Sequence, residues 1–207
     1  MTKKPETVNK LDQLSLVESQ LRFKGNYKDG KPDGLWEGYH DNGQLMSKRN
    51  YKDGKLDGPH ETYNNNGQLS AKGNCKDGKE DGVHETYYDN GQLWSKENYK
   101  EGKQEGLWEY YDEEGNLTKT EEWKNDKEDG LWESYHDNGQ LVRKGNYKNG
   151  KEDGYWESYD EDGQLMSKGN YIDGKEDGLW EYYDEESNLK STQEWKDGKR
   201  IKKWELK

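Results

Sequence analysis

Gly34, Gly58, Gly82, Gly106, Gly130, Gly154 and Gly178 stand 24 residues apart without a single insertion. A strict period of this length means that each unit is one supersecondary element, unable to bury its apolar side except against its neighbours. The chain is therefore expected to be a stacked array. Tyr39, Tyr63, Tyr87, Tyr111, Tyr135, Tyr159 and Tyr183 hold the sixth place of the unit, and Leu45, Leu69, Leu93, Leu117, Leu141, Leu165 and Leu189 the twelfth. The array is placed at residues 18–207, with a half unit over 20–33, seven units over 34–201 and a decayed cap strand to Lys207 that keeps Trp204 and Glu205. Residues 1–17 match no unit and read as an N-terminal arm or cap.

Within the unit, turn chemistry fixes the secondary structure. Asn-Gly at 42/43, 66/67, 90/91 and 138/139, and Asp-Gly at 29/30, 53/54, 77/78 and 173/174, are the dipeptides that two-residue type I′ hairpin turns demand, because both central residues need positive φ. Two short strands per unit follow, and no helix in the array. Composition agrees: Leu, Ile, Val and Phe together number 24 of 207 residues, too few for one large core. The 9 Trp and 16 Tyr supply the apolar surface instead. The fold class is all-β, a single-layer twisted antiparallel β-hairpin solenoid of 24-residue repeats.

A two-residue loop at Asn42-Gly43 sets Glu37 against Lys48 and Trp36 against position 49, which is glycine in other units (Gly73, Gly145, Gly169). Opposite charges and a ring over a strand glycine are both favourable cross-strand pairs. Alternation then puts Trp36, Leu45, Ser47 and Tyr51 on one face, and Leu35, Glu37, Tyr39, Met46 and Lys48 on the other. The first, with small residues between large rings, is expected to be the better packed; a bulge in the first strand would move Tyr39 across.

The pattern Gly-Leu-Trp-Glu-x-Tyr-x-Asp-Asn-Gly-Gln-Leu-x-x-Lys-Gly-Asn-Tyr-Lys-Asn-Gly-Lys over Gly130 to Lys151 resembles the variant MORN repeats of the bacterial YwqK-type antitoxin family. The likeness runs from about Leu21 to Trp204. It implies a non-catalytic protein of antitoxin or immunity type, while MORN arrays elsewhere are scaffolds or lipid-proximal modules.

Two readings of the Trp column (Trp36, Trp108, Trp132, Trp156, Trp180) stand side by side: a groove for a partner's apolar side chains, or rings that cover the strand glycines and stabilise the ribbon. The Glu column (Glu37, Glu61, Glu85, Glu109, Glu133, Glu157, Glu181, Glu205) faces lysines and reads as a solvated ion-pair ladder. Catalysis would need two carboxylates in a dry cleft with their pKa values pushed apart, and no motif builds one. No phosphate-cradling loop and no nucleophile elbow occur either, so no enzyme is expected.

Units two and three break consensus together, with Pro59, His60, Cys75, Val83 and His84 in place of Leu, Trp, Tyr, Leu and Trp. Cys75 falls opposite Gly58 and diagonal to His60. With His84 expected about 10 Å away, two strand spacings, and no second thiol, neither metal nor cofactor is expected. These exceptions, with the extra ring at Trp94 expected opposite Tyr87, are the features a partner needing one register would read. Neutral drift is the alternative.

The net charge of -12 repels nucleic acid and anionic membrane at long range. One cysteine, and no apolar run after Met1 to Lys10 of signal-peptide length, point to the cytoplasm. The leading expectation is a protein-binding module that occludes a partner with an aromatic-lined face of an acidic ribbon. The partner is expected to be a protein; the family resemblance implies a toxin, and the acidic charge suits a basic one whose own surface is built for nucleic acid. The alternatives are a choline-binding cell-wall module, in which rings cage quaternary ammonium groups, and a scaffold near membranes.

Overall fold

The computed structural model describes residues 22–206, so the N-terminal arm assigned to residues 1–17 lies outside the described residues. These form nineteen strands and no helix, all in antiparallel hairpins. They divide into two compact units, one up to Lys103 and one from Gln104 onward. In the first, Phe23–Lys28, Lys31–Tyr39, Leu45–Lys52, Lys55–Tyr63 and Leu69–Lys76 pair in chain order, followed by Lys79–Glu80, Gly82–Tyr87 and Leu93–Lys100. In the second, the same succession runs from Gly106–Tyr111 to Lys199–Glu205. Pairing follows chain order, as a hairpin array requires, with the broken strands Lys79–Glu80 plus Gly82–Tyr87 and Lys151–Glu152 plus Gly154–Tyr159 each lying as one against the strand before.

The two kinds of turn differ, and one departs from expectation. At Asp29-Gly30, Asp53-Gly54, Asp77-Gly78 and Asp173-Gly174 both residues have positive φ, the type I′ signature. At Asn42-Gly43, Asn66-Gly67, Asn90-Gly91 and Asn138-Gly139 only the glycine does. There the loop has three residues, with Gly43 N–H donating to His40 C=O and His40 N–H to Gln44 C=O, a type I turn closed by a left-handed glycine. The asparagine is retained for a different reason: Asn42 Oδ1 accepts from Gln44 N–H at 2.9 Å, and Asn66, Asn90 and Asn138 repeat the bond.

Glu37 nonetheless faces Lys48, Trp36 faces Arg49 and Gly58 faces Cys75. The three-residue loop shifts register by one, and a bulge shifts it back. That bulge lies in the second strand of the hairpin, not the first: Gly38 pairs with Ser47 and Tyr39 with Leu45, leaving Met46 as the extra residue. Ser70, Trp94, Thr118, Val142, Met166 and Lys190 occupy the same place. A residue outside the ladder has few packing obligations, which explains why this column varies. Trp94 is therefore not opposite Tyr87, whose partner is Leu93.

A second register shift falls where each following strand begins, as between Arg49/His60 and Tyr51/Leu56. Gly58, with φ of 111°, lies in that interval, and all seven glycines of the 24-residue column have positive φ. This backbone requirement, which L side chains meet poorly, accounts for the column. The turns are also tied back along the chain. Gly54 N–H donates to Pro32 C=O, Gly78 to Leu56, Gly150 to Glu128 and Gly174 to Glu152. The N–H groups of Asp77, Glu101, Asn149 and Asp197 donate to Asp57, Asp81, Asp129 and Asp177, which explains the acidic residue before each column glycine.

Candidate functional site

The two faces have distinct chemistry. On the first, Trp108, Trp156 and Trp180 are buried, Trp156 to 1% exposure, while Trp36 and Trp132 are half-buried. Three of these rings lie over the glycine of the strand before: a Cβ on Gly25 would strike Trp36, on Gly145 Trp156 and on Gly169 Trp180, whereas Trp132 faces Glu121. The covering ring thus belongs to the next hairpin, not to the facing residue of the same hairpin. The indoles alternate with tyrosines edge to face, Tyr147 to Trp156 at 5.4 Å, Trp156 to Tyr171 at 6.1 Å and Tyr171 to Trp180 at 5.1 Å between centroids. Such contacts add to area burial. Small hydroxyl residues fill the spaces, with Thr86 and Ser95 hydrogen-bonded at 2.6 Å and Ser158 and Ser167 likewise.

On the second face the Glu column is shared between lysine and tyrosine. Tyr159 O–H donates to Glu157 at 2.8 Å, Lys144 Nζ lies 2.9 Å from the same carboxylate, and the ammonium stands 5.7 Å from the Tyr159 ring centre. Lys72, Glu85 and Tyr87 repeat the set, as do Lys168, Glu181 and Tyr183. Each lysine pairs with the carboxylate of the following unit rather than across its own hairpin. In the Glu85 and Glu181 sets the hydrogen bonds from lysine and tyrosine hold the carboxyl below its ordinary pKa. At Glu157 burial opposes ionisation, but Lys144 and Tyr159 outweigh it and the shift is again downward. Beside this ladder Leu35 and Val83 in the first unit, and Leu131, Tyr155 and Leu179 in the second, are exposed.

Three of the five consensus breaks, His60, Cys75 and His84, come together on the Trp face of the first compact unit. His60 and His84 take the places of tryptophans, their ring centres 5.9 Å apart, and both would collide with a Cβ on Gly73. They lean together over that glycine, closer than two full strand spacings. Cys75, 4% exposed, lies beside them. Glu80, which the sequence did not single out because glutamate also fills its column at Glu128, Glu152 and Glu176, completes the group. Its carboxylate is 3.1 Å from His60 Nε2. The donor atoms of His60, Cys75 and Glu80 all lie within 4.8 Å of one another. Burial, with the Glu80 carboxylate beside it, pushes the Cys75 thiol up to about 11. The Glu97 carboxylate, 3.8 Å from the buried His84 Nδ1, favours the imidazolium and raises the His84 pKa against the effect of burial. Trp94 is elsewhere, 47% exposed on its bulge with its ring 6.4 Å from that of Tyr88.

Among solved structures, a crystal structure of TarM is 16% identical, with a TM-score of 0.33, over 60% of this chain and 24% of that one. A structure of accessory secretory protein 1, 2 and 3 of Streptococcus pneumoniae is 15% identical, with a TM-score of 0.22, over 65% and 22%. The chain thus spans about a quarter of the length of each. No curated protein matches it. The family described as MORN repeat variant matches seven times, at residues 32–53, 56–77, 80–101, 104–125, 128–149, 152–173 and 176–197. These segments cover most of the chain, which therefore belongs to the MORN repeat variant family.

Proposed function

We propose that the chain is a non-catalytic protein-binding repeat module of the antitoxin or immunity type, which occludes a basic partner. The observation that carries this reading is the exposed apolar row Leu131, Tyr155 and Leu179, alternating with Asn146 and Asn170. Exposed apolar residues set among polar neighbours are what a protein interface offers. The Trp face supports this assignment indirectly, since its rings are largely occupied with one another and with the strand glycines. The net charge of -12 would steer a basic protein toward the array. Bulge residues such as Trp94, which differ from unit to unit, supply register that identical units lack. The antitoxin role itself rests on the likeness of the repeat to the YwqK type.

The test is affinity capture of the tagged full chain from its source organism, with the bound protein identified. A basic protein retained by the parent and lost with Leu131→Lys plus Tyr155→Lys supports the reading. Retention of no protein, or of the same protein by the double variant, overturns it.

A further inference from the structure

We propose that His60, Cys75 and Glu80 form a zinc site in the second repeat of the array, within the first compact unit. The three residues offer an imidazole nitrogen, a thiol that gives up its proton as the metal binds and a carboxylate oxygen, a mixed donor set that suits zinc among the common divalent ions. Tetrahedral bonds of ordinary zinc length put neighbouring donors roughly 3.3–3.8 Å apart. His60 Nε2 and the Glu80 carboxylate, at 3.1 Å, are already near that spacing, and the full set lies within 4.8 Å, so closure takes side-chain movement of about 1 Å. Three protein donors leave one tetrahedral position for water or a further ligand. His84 stands next to His60.

The sequence argues in the same direction. Only here do the Trp column and the Tyr column break together: His60 replaces a tryptophan, and Cys75, the one cysteine of the chain, replaces a tyrosine or tryptophan found at Tyr51, Tyr99, Trp123 and Tyr147. Drift that removed a ring would leave any small or polar residue behind. The two substitutions instead yield two metal-ligand types that meet on the same side of the sheet as a carboxylate from the next strand. Gly73 leaves the space above it to the imidazoles. The inference is independent of the protein-binding reading.

The full chain, stripped of metal with a chelator, is titrated with cobalt(II) as a spectroscopic stand-in and with zinc against a chromophoric chelator. One cobalt should bind with a thiolate-to-metal charge-transfer band and the visible bands of a tetrahedral ion, both removed by one equivalent of zinc. Cys75→Ser should abolish the charge-transfer band, and it should weaken zinc binding more than about tenfold. Glu80→Gln should weaken binding while keeping the band. Because Cys75→Ser disturbs a buried position, His60→Trp serves as the second variant: it restores the repeat consensus and should fold while losing zinc affinity. Zinc should raise the melting temperature of the parent in a concentration-dependent way and leave that of His60→Trp unchanged. Absence of the charge-transfer band in the parent, or zinc affinity that survives both Cys75→Ser and His60→Trp, overturns the proposal and leaves only loose binding to surface carboxylates.

Discussion

From Trp132 to Trp180 the packed face is an unbroken succession of indole and phenol rings, whereas from His60 to Tyr99 the same columns carry imidazoles, a thiol and carboxylates in contact. The backbone scarcely registers the change. Both stretches keep the three-residue loop, the second-strand bulge and the positive-φ glycine, and in both a strand glycine lies beneath the rings: Gly73 under the histidines, Gly145 and Gly169 under Trp156 and Trp180. Turn chemistry and register thus specify the hairpins, while the identity of the packed rings is free to vary. What varies is stabilisation and chemistry, not shape.

The largest difference should appear on deleting a ring. Trp156→Ala should cost about 3–5 kcal/mol in urea unfolding, as expected for a fully buried tryptophan. His84→Ala should cost under about 2 kcal/mol. Equal losses would mean that the histidines carry as much of the packing as the indoles do. Next comes the floor beneath the rings. Gly145→Ala drives a methyl into the Trp156 indole, an overpacking of about 1–3 kcal/mol. At Gly73, where the approaching atoms belong to two smaller imidazoles, the loss should be less. Restoring His60→Trp and His84→Trp together should raise the unfolding free energy by about 1 kcal/mol through new ring contacts. A fall of that size would show that the polar cluster is itself the better packing.

The opposite face should not distinguish the two stretches. Burial, then the hydrogen bonds to Glu61 and Glu133, push Tyr63 and Tyr135 up to about 12 from an ordinary value of 10.0. Because the folded state holds the phenolic proton more tightly, this stabilisation is complete below pH 10 and is lost as the pH rises toward 12. Urea midpoints at pH 9 and at pH 11.5 should therefore differ by a similar amount whether Tyr63 or Tyr135 is the one replaced by Phe. Smallest of all, Glu133→Ala should cost under about 1 kcal/mol; a larger loss would place the Glu column among the principal supports of the sheet.

The hairpins, the cross-strand pairs Glu37/Lys48 and Gly58/Cys75, and the packed nature of the Trp face were all legible in the sequence. They depend on local turn residues and on period-2 alternation, which one unit already contains. The three-residue Asn-Gly loop was not legible, because Asn-Gly serves equally well in a two-residue turn and the compensating bulge restores the same pairs. Nor was Glu80 as a member of the His60–Cys75 cluster. A residue typical of its column gives no signal until the structure shows that the neighbours around it have changed, and the lean of His60 and His84 over Gly73 depends on side-chain torsions that strand spacing does not describe.

The backward ties of the turns have a consequence for how the chain is made. Gly54 bonds to Pro32, Gly78 to Leu56, Gly150 to Glu128 and Gly174 to Glu152, so each turn, as it emerges, finds its acceptor in the hairpin that emerged before it. Growth is therefore templated in one direction. The first hairpin to emerge needs nothing that lies downstream for these bonds, and every later one closes onto a finished edge with contacts only some twenty residues long. Local contacts of this kind favour rapid ordering, and an edge that is continually consumed by the next strand spends little time open to pairing with another molecule.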